Sequence, residues 1–230
     1  MTKFFLNLLP GFLNRRIKAY LVERYKRSLS GKPVEEIFND IYEQGVWGSV
    51  KNRSEGGSTI DQTMALKSTL PELFRKYNIS SLLDAPCGDF TWMQHVDLAG
   101  VNYIGGDIVG TLINNNQIKY ATPRRQFIQL NLIEDQLPKS NLLFCRDCFV
   151  HFSNDHIRQS LDNIKAAKIK YLLVTTFTDT RVNKDILTGE WRRVNLEKPP
   201  FNLTPIDIIN EKCPEGEGKF SDKSLMLVKL

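Results

Sequence analysis

Residues 80–90 read Ser-Ser-Leu-Leu-Asp-Ala-Pro-Cys-Gly-Asp-Phe, and residues 102–109 read Asn-Tyr-Ile-Gly-Gly-Asp-Ile-Val. Each stretch is a short apolar run that ends in a carboxylate, Asp84 in the first and Asp107 in the second. Such runs are typical of buried parallel strands, and the separation of 23 positions leaves room for a turn, a helix and a second strand. Open α/β sheets bind ligands at the carboxyl ends of their strands, so both side chains are predicted to face a nucleoside site.

The turn after Asp84 does not have the composition of a dinucleotide-binding turn. A pyrophosphate needs G-x-G-x-x-G, in which backbone amides and a helix N-terminus approach the phosphates. This turn has only Gly88, while Pro86 supplies no amide donor and Asp89 adds a negative charge. These residues favour a ligand that has no phosphates and carries cationic or hydroxyl groups.

Residues 82–90 resemble motif I of the class I S-adenosylmethionine-dependent methyltransferases. The turn D-A-P-C-G-D-F at residues 84–90 is similar to the motif I turn of a bacterial subgroup of that family. Pro86 and Phe90 stand where that motif usually has glycines. The resemblance implies that the turn contacts the methionine part of S-adenosylmethionine and that Asp107 holds the ribose hydroxyls. It also implies that Asn131 stands where an aspartate usually accepts from the adenine amino group, which an amide oxygen can also do.

The resemblance covers about residues 60–230 and implies a Rossmann-like α/β fold. Its seven strands would have the order 3-2-1-4-5-7-6, with strand 7 antiparallel and helices on both faces. Residues 206–211 and 223–230 have the pattern of the closing hairpin, whereas dinucleotide folds usually end with a helix and a parallel strand. The residues predicted to bind S-adenosylmethionine are Asp84, Ala85, Pro86, Cys87, Gly88, Asp89, Trp92, Asp107, Ile108, Asn131, Leu132 and Arg146, with Trp47 and Ser58 from the loop before the core.

Residues 141–145 predict strand four, which runs into the segment that lines the methyl-transfer site in the family that the sequence resembles. Asp147 and His151 lie four positions apart in this segment, a spacing that places both on one face if the segment is helical. For a hydroxyl acceptor, we predict that His151 accepts the proton and that Asp147 orients or assists it. The alternative is that Asp147 makes structural hydrogen bonds and that His151 is buried and neutral.

Residues 178–204 follow strand five and have no apolar periodicity. A loop of this length at the carboxyl edge of a sheet favours a lid or a wall of the substrate site. Trp191, Arg192 and Arg193 are therefore predicted to bind substrate, with the arginines recognising phosphate or carboxylate on the acceptor. The same charges can equally belong to a solvated face.

The net charge of +5 is concentrated at the N-terminus. Residues 1–28 hold seven basic residues and one acidic residue, whereas the rest of the chain holds 24 basic and 25 acidic residues. The domain is therefore nearly neutral, which argues against nucleic acid as a partner. The basic segment has apolar residues near helical spacing, and it predicts a helix that either contacts an anionic membrane surface or packs on the domain or on a second copy.

The cysteines are too few and too irregularly spaced for a disulfide framework, which indicates a reducing, cytoplasmic location. If the basic segment docks on a membrane, the protein would lie at the membrane surface as a peripheral protein. Cys145 and Cys148 have the C-x-x-C spacing, but no second pair completes a zinc site. Buried or pocket-lining roles are therefore predicted for both, and no metal site is predicted.

Three parts are predicted: a basic amphipathic arm at 1–32, helices and a cofactor-covering loop at 33–79, and the methyltransferase core at 80–230. The predicted function is methyl transfer from S-adenosylmethionine to an unidentified small-molecule or glycan acceptor. One alternative is an NAD-linked oxidoreductase on the same architecture, against which the single glycine and the closing hairpin count. The other is a membrane-docked binding module without catalysis, which Pro86, Phe90 and the basic arm suggest.

Overall fold

The structure is a computed structural model. It describes residues 20–21, 23–45, 60–213 and 218–230. Most of the basic arm and the loop that contains Trp47 and Ser58 lie outside the described residues, so the cofactor contacts of those two side chains stay predictions. Within the described part, no helix is both long and apolar enough to cross a membrane.

The described residues form one seven-stranded sheet. The strands are β1 Ser81–Asp84, β2 Asn102–Asp107, β3 Arg125–Gln129, β4 Leu142–Cys145, β5 Tyr171–Phe177, β6 Asp207–Asn210 and β7 Lys223–Lys229. Their order is β3-β2-β1-β4-β5-β7-β6, and β7 runs antiparallel to both of its neighbours. The predicted strand order and the closing hairpin are thereby confirmed.

The central strands owe their position to near-continuous apolar runs. All four residues of β4 and all seven residues of β5 are buried, as expected for parallel strands that are covered on both faces. Asp84 at the end of β1 pairs with Gly105 of β2 and with Phe144 of β4. The carboxyl ends of these three strands therefore meet at one edge of the sheet.

Helices pack on both faces of the sheet, as predicted. They are α1 Val34–Gln44, α2 Ile60–Lys76, α3 Gly110–Tyr120 and α4 Asn154–Ala166. Successive β1 residues Leu82 and Leu83 point to opposite faces and belong to two separate cores. The first core contains Leu70 of α2, and the second contains Ile157 of α4.

The N-terminal helices cover the carboxyl edge of the sheet. Residues 23–29 are helical and are here called the N-terminal helix, and Leu29 packs with Ile37 and Ile41 of α1. On α1, the Phe38 ring lies 5.9 Å from the Phe152 ring, measured between centroids. This contact attaches α1 to the segment that follows β4.

Candidate functional site

A pocket opens at the carboxyl edge of the sheet, where β1, β2 and β4 end. Its wall contains every described residue that was predicted to bind the cofactor, together with both residues that were predicted to be catalytic. These residues are Asp84, Ala85, Pro86, Cys87, Gly88, Asp89, Trp92, Asp107, Ile108, Asn131, Leu132, Arg146, Asp147 and His151. The structure thus brings them together, while their individual roles stay predictions.

Strand β2 holds the turn after β1 in place. Cys87 N donates to Gly106 O (2.8 Å), and Gly88 N donates to the Asp107 carboxylate (3.1 Å). Gly88 and Phe90 have positive φ angles of 56° and 59°, a conformation that is uncommon for a large side chain. Burial against three aromatic rings stabilises Phe90 there. The rings, whose centroids lie 5.1–5.2 Å from that of Phe90, belong to Tyr103, Tyr120 and Phe127.

Two buried carboxyl groups, those of Asp84 and Asp107, determine the electrostatics of this end of the pocket. Burial raises the pKa of Asp84 to about 7, although its Oδ2 accepts a hydrogen bond from the Tyr103 hydroxyl (2.6 Å). Burial also raises the pKa of Asp107 to about 6, although backbone amides, including Val109 N at 3.1 Å, oppose the shift. Cationic or hydroxyl groups of a ligand would stabilise the ionised forms, so this end favours such a ligand.

A second part of the wall is apolar. A Cβ atom at Gly106 would lie only 2.7 Å from Leu130 Cδ2, so the glycine lets this leucine pack directly against β2. Asn131 Oδ1 accepts a hydrogen bond from Ile133 N (3.0 Å), and an amide oxygen has a second lone pair. The apolar side chains here include Ile108, Leu130 and Leu132. This surface suits a flat, weakly polar ring, and the predicted bond from adenine to Asn131 stays a prediction.

Arg146 and Asp147 belong to a buried charged cluster with Glu211 and Lys223. Arg146 Nε and Nη2 donate to Glu211 Oε2 at 3.0 and 2.8 Å. Asp147 Oδ2 accepts from Lys223 Nζ (2.7 Å) and lies 3.2 Å from Arg146 Nη1. Burial alone would raise the pKa of Asp147, but the charges of Arg146 and Lys223 outweigh it and lower the pKa to about 2. Asp147 is therefore an ionised hydrogen-bond acceptor on the pocket wall and not a proton acceptor at neutral pH.

The segment from Asp147 to His151 is not an α-helix, although the spacing of these two residues would suit one. Asp147 has a φ of +55°, and only the short 3₁₀ segment Phe149–His151 follows it. Both side chains nevertheless line the same pocket. His151 is buried, with 2% of its surface exposed, and its Nδ1 lies 2.9 Å from the carbonyl oxygen of Glu190.

The three residues that were predicted to bind substrate do not line this pocket. Arg192 is buried, and its guanidinium donates three bonds of 2.7–2.9 Å, to Lys184 O, Phe149 O and Asn154 Oδ1. Because these donors serve the protein itself, the position of Arg192 does not support acceptor recognition. Trp191 and Arg193 lie on an aromatic patch that is formed by Phe177 and Phe220.

Sequence reasoning missed Glu211, Lys223 and the aromatic residues of α1. Phe38 and Tyr42 line the pocket from α1. Their spacing of four residues indicates a packed helix face but does not indicate what packs against it. Lys223 is the first residue of β7, a place where a lysine usually indicates a strand end at the surface, so no signal marked it as buried.

The predicted buried or pocket-lining roles of Cys145 and Cys148 are confirmed. Both are buried and free, and Cys148 lines the pocket. Among the described residues, no group of side chains is arranged to hold a metal ion.

No protein-family model matches the chain, and no curated protein sequence matches it. Solved methyltransferase structures match its fold at low identity. Human N-acetylserotonin methyltransferase in complex with S-adenosylmethionine has 13% identity and a TM-score of 0.53, over 86% of this chain and 60% of the human one. Magnesium protoporphyrin IX methyltransferase from Synechocystis, with bound S-adenosylmethionine, has 11% identity and a TM-score of 0.55, over 87% and 99%.

Another match is the 1,6-didemethyltoxoflavin-N1-methyltransferase of Burkholderia thailandensis with bound S-adenosylhomocysteine. It has 15% identity and a TM-score of 0.58, over 85% of this chain and 86% of that one. The chain therefore has the fold of the class I S-adenosylmethionine-dependent methyltransferases, and it spans 60% of the length of the human enzyme.

Proposed function

We propose that the protein binds S-adenosylmethionine and transfers its methyl group to a small-molecule or glycan acceptor. One observation carries the proposal. Asp84 and Asp107 are buried at the carboxyl ends of adjacent parallel strands and face a single pocket of a methyltransferase fold. Open α/β sheets bind their ligands at this place.

The residues of the pocket fit the parts of S-adenosylmethionine. Asp84 and Asp107 offer carboxyl oxygens to its ammonium and ribose hydroxyl groups, and Asn131 offers an amide oxygen beside an apolar surface to adenine. Gly88 N donates to the Asp107 carboxylate, which leaves this amide unavailable to a phosphate, so the turn suits a nucleoside without a pyrophosphate. The same feature supports the proposal over an NAD-linked oxidoreductase.

The bound cofactor would supply a methyl group on a good leaving group, so the protein mainly has to align the acceptor and exclude water. Phe38 and Tyr42 of α1 form a wall that would exclude water from the reacting atoms. His151 would take the proton of a hydroxyl acceptor. Asp147, held ionised by Arg146 and Lys223, would stabilise the resulting imidazolium through its charge.

The composition of the wall supports a small molecule with an apolar ring over a glycan. Phe38, Trp92 and Phe152 line the same pocket as His151, and ring faces of this kind bind flat apolar groups. The three structural neighbours act, by their names, on N-acetylserotonin, magnesium protoporphyrin IX and 1,6-didemethyltoxoflavin, each of which is a small molecule.

Calorimetric titration of S-adenosylhomocysteine into the protein tests the proposal. We expect binding that Asp107→Asn weakens by about 10- to 100-fold, because a hydrogen bond to a charged group contributes about 1.5–3 kcal/mol. Asp97→Asn is the matched control, since Asp97 is exposed and also accepts from a backbone amide, Ala99 N at 2.9 Å.

NAD is titrated in parallel with S-adenosylhomocysteine. Binding of NAD without binding of S-adenosylhomocysteine would overturn the proposal in favour of the oxidoreductase. Binding of neither ligand would favour a binding module without catalysis. Where S-adenosylhomocysteine binds, a screen of aromatic hydroxyl compounds with radiolabelled S-adenosylmethionine tests the transfer itself.

A further inference from the structure

We propose that the N-terminal helix positions His151 for proton transfer by clamping residues 185–192, here called the strap. In this arrangement Nδ1 of His151 carries the proton of the neutral ring, and Nε2 is the nitrogen that accepts a proton. The catalytic meaning of this arrangement rests on the proposed methyl transfer. The tautomer of His151 can be tested without it.

The strap lies along the segment that carries His151 and is bonded to it at several points. Gly189 N donates to His151 O, and Arg192 N donates to Val150 O, both at 2.9 Å. At the start of α4, Ser153 N donates to Thr188 Oγ1 (3.0 Å). These hydrogen bonds fix the backbone of His151 relative to the strap independently of its side chain.

The side chain of His151 meets the strap through one nitrogen. Its Nδ1 lies 2.9 Å from Glu190 O, and a carbonyl oxygen can only accept, so Nδ1 must donate. A neutral imidazole with a proton on Nδ1 carries its lone pair on Nε2. His156 differs in this respect, because its Nδ1 lies 2.6 Å from the Thr188 hydroxyl, which can donate or accept.

The N-terminal helix holds the strap from the other side. The Tyr25 hydroxyl donates to Gly189 O (2.8 Å), and Lys26 Nζ lies 3.2 Å from the Glu190 carboxylate. Gly189 has a φ of +100°, and a Cβ atom there would lie 2.8–2.9 Å from the side chains of Ile37 and Leu29. The two N-terminal helices therefore fit closely against the peptide that precedes the carbonyl of Glu190.

Two carboxylates lie on the elements that pack against His151, those of Asp147 and Glu190, and both are ion-paired. Asp147 approaches from the segment after β4, and its carboxylate is compensated by Lys223 and Arg146. On the strap, the Glu190 carboxylate is paired with Lys26 of the N-terminal helix and accepts from Leu187 N at 2.9 Å. Tyr25 and Gly189 are thus positioning residues, which act on His151 through the carbonyl of Glu190.

Long-range proton–nitrogen NMR of the full ¹⁵N-labelled chain at about pH 8 reads the tautomer, because protonated and unprotonated ring nitrogens have distinct shifts. The chain has three histidines, and loss of signals in His151→Gln assigns those of His151. We expect a protonated Nδ1 and an unprotonated Nε2. Exposed His95 serves as the internal reference.

Two variants test the clamp. Tyr25→Phe removes one hydrogen bond, so we expect the Nδ1 proton to exchange with water roughly fivefold faster. Gly189→Ala should shift both nitrogen signals toward a mixture of tautomers, because its Cβ displaces the strap. Tyr20→Phe, which removes an exposed hydroxyl from the same N-terminal region, should change neither measurement.

A protonated Nε2 in the wild-type protein would overturn the proposal. So would unchanged exchange in Tyr25→Phe, and this variant alone decides the matter if Gly189→Ala does not fold. Calorimetry with S-adenosylhomocysteine and the screen with radiolabelled S-adenosylmethionine are independent of the ring-nitrogen signals, so failure of the clamp and failure of the proposed methyl transfer give different results.

Discussion

Asp84 has a carboxyl group that burial keeps partly protonated at neutral pH. The pKa of this group is raised from 3.8, its ordinary value, to about 7 in the folded protein. Between these two values the folded protein holds a proton that the unfolded chain has released. The contribution of Asp84 to the free energy of unfolding must therefore fall as the pH rises through this window, and it becomes constant above it.

Asp84→Asn removes this titration but keeps an oxygen that can accept from Tyr103. From about pH 4 to about pH 7.5, we expect the free energy of unfolding of the variant to rise relative to wild type by about 2–4 kcal/mol, at 1.36 kcal/mol per pKa unit. Urea unfolding across this range measures the difference. The control, Asp162→Asn on the exposed face of α4, should stay within about 0.5 kcal/mol of wild type. Parallel curves for wild type and Asp84→Asn would contradict the prediction.

Single residues of the site were predictable where the chain itself marks a strand end. Asp84 and Asp107 each close an apolar run, so their position at the ligand edge followed from the sequence. The places of Lys223 and Glu211 in the site could not be predicted from the sequence. Lys223 lies 76 positions from its partner Asp147, and Glu211 lies 65 positions from its partner Arg146. Contacts of this range leave no periodic signal.

At the scale of elements, the charged cluster joins β4 to the hairpin of β6 and β7. Glu211→Gln leaves the buried cluster with one carboxylate, that of Asp147, for the two cations Arg146 and Lys223, so we expect a loss of about 3–5 kcal/mol in the free energy of unfolding. Asp207→Asn is the matched control on the same hairpin, since its partner Lys76 is mostly exposed. It should cost about 1 kcal/mol or less. Equal losses in urea unfolding would show that burial does not distinguish the two pairs.

The segment from 147 to 151 shows why the local pattern gave the wrong geometry. Its spacing suits an α-helix, but His151 N donates to Cys148 O, as in a 3₁₀ turn, and the carbonyl oxygens of residues 149–151 accept from the strap. Phe149 O accepts from Arg192 Nη1, Val150 O from Arg192 N, and His151 O from Gly189 N. A tertiary partner that lies some 40 positions further on therefore replaced the α-helical bonds, and local sequence does not report such a partner.

At the scale of the whole molecule, the sequence predicted the sheet better than what covers it. Apolar runs and the family resemblance were enough for the strand order, because buried parallel strands have a strong sequence pattern. Packing of the N-terminal segment on the domain was one of the predicted alternatives, and residues 23–29 do pack there, but neither their place over the strap nor the packing of α1 over the pocket was predicted. An amphipathic helix shows which face is buried but not where on the domain it docks.

The basic residues at the N-terminus lead to a prediction for the whole protein. Each basic side chain near an anionic membrane contributes about 1 kcal/mol, so neutralising three of them should weaken binding to phosphatidylserine vesicles by about 100-fold. The test variant replaces Arg15, Arg16 and Lys18 with glutamine, and vesicle cosedimentation measures the affinity. The control replaces Lys165, Lys168 and Lys170, which are exposed on the folded domain, and should bind like wild type. Equal weakening in both variants would indicate non-specific charge attraction. No vesicle binding by wild type would leave packing or self-association as the role of the segment, which sedimentation velocity then distinguishes.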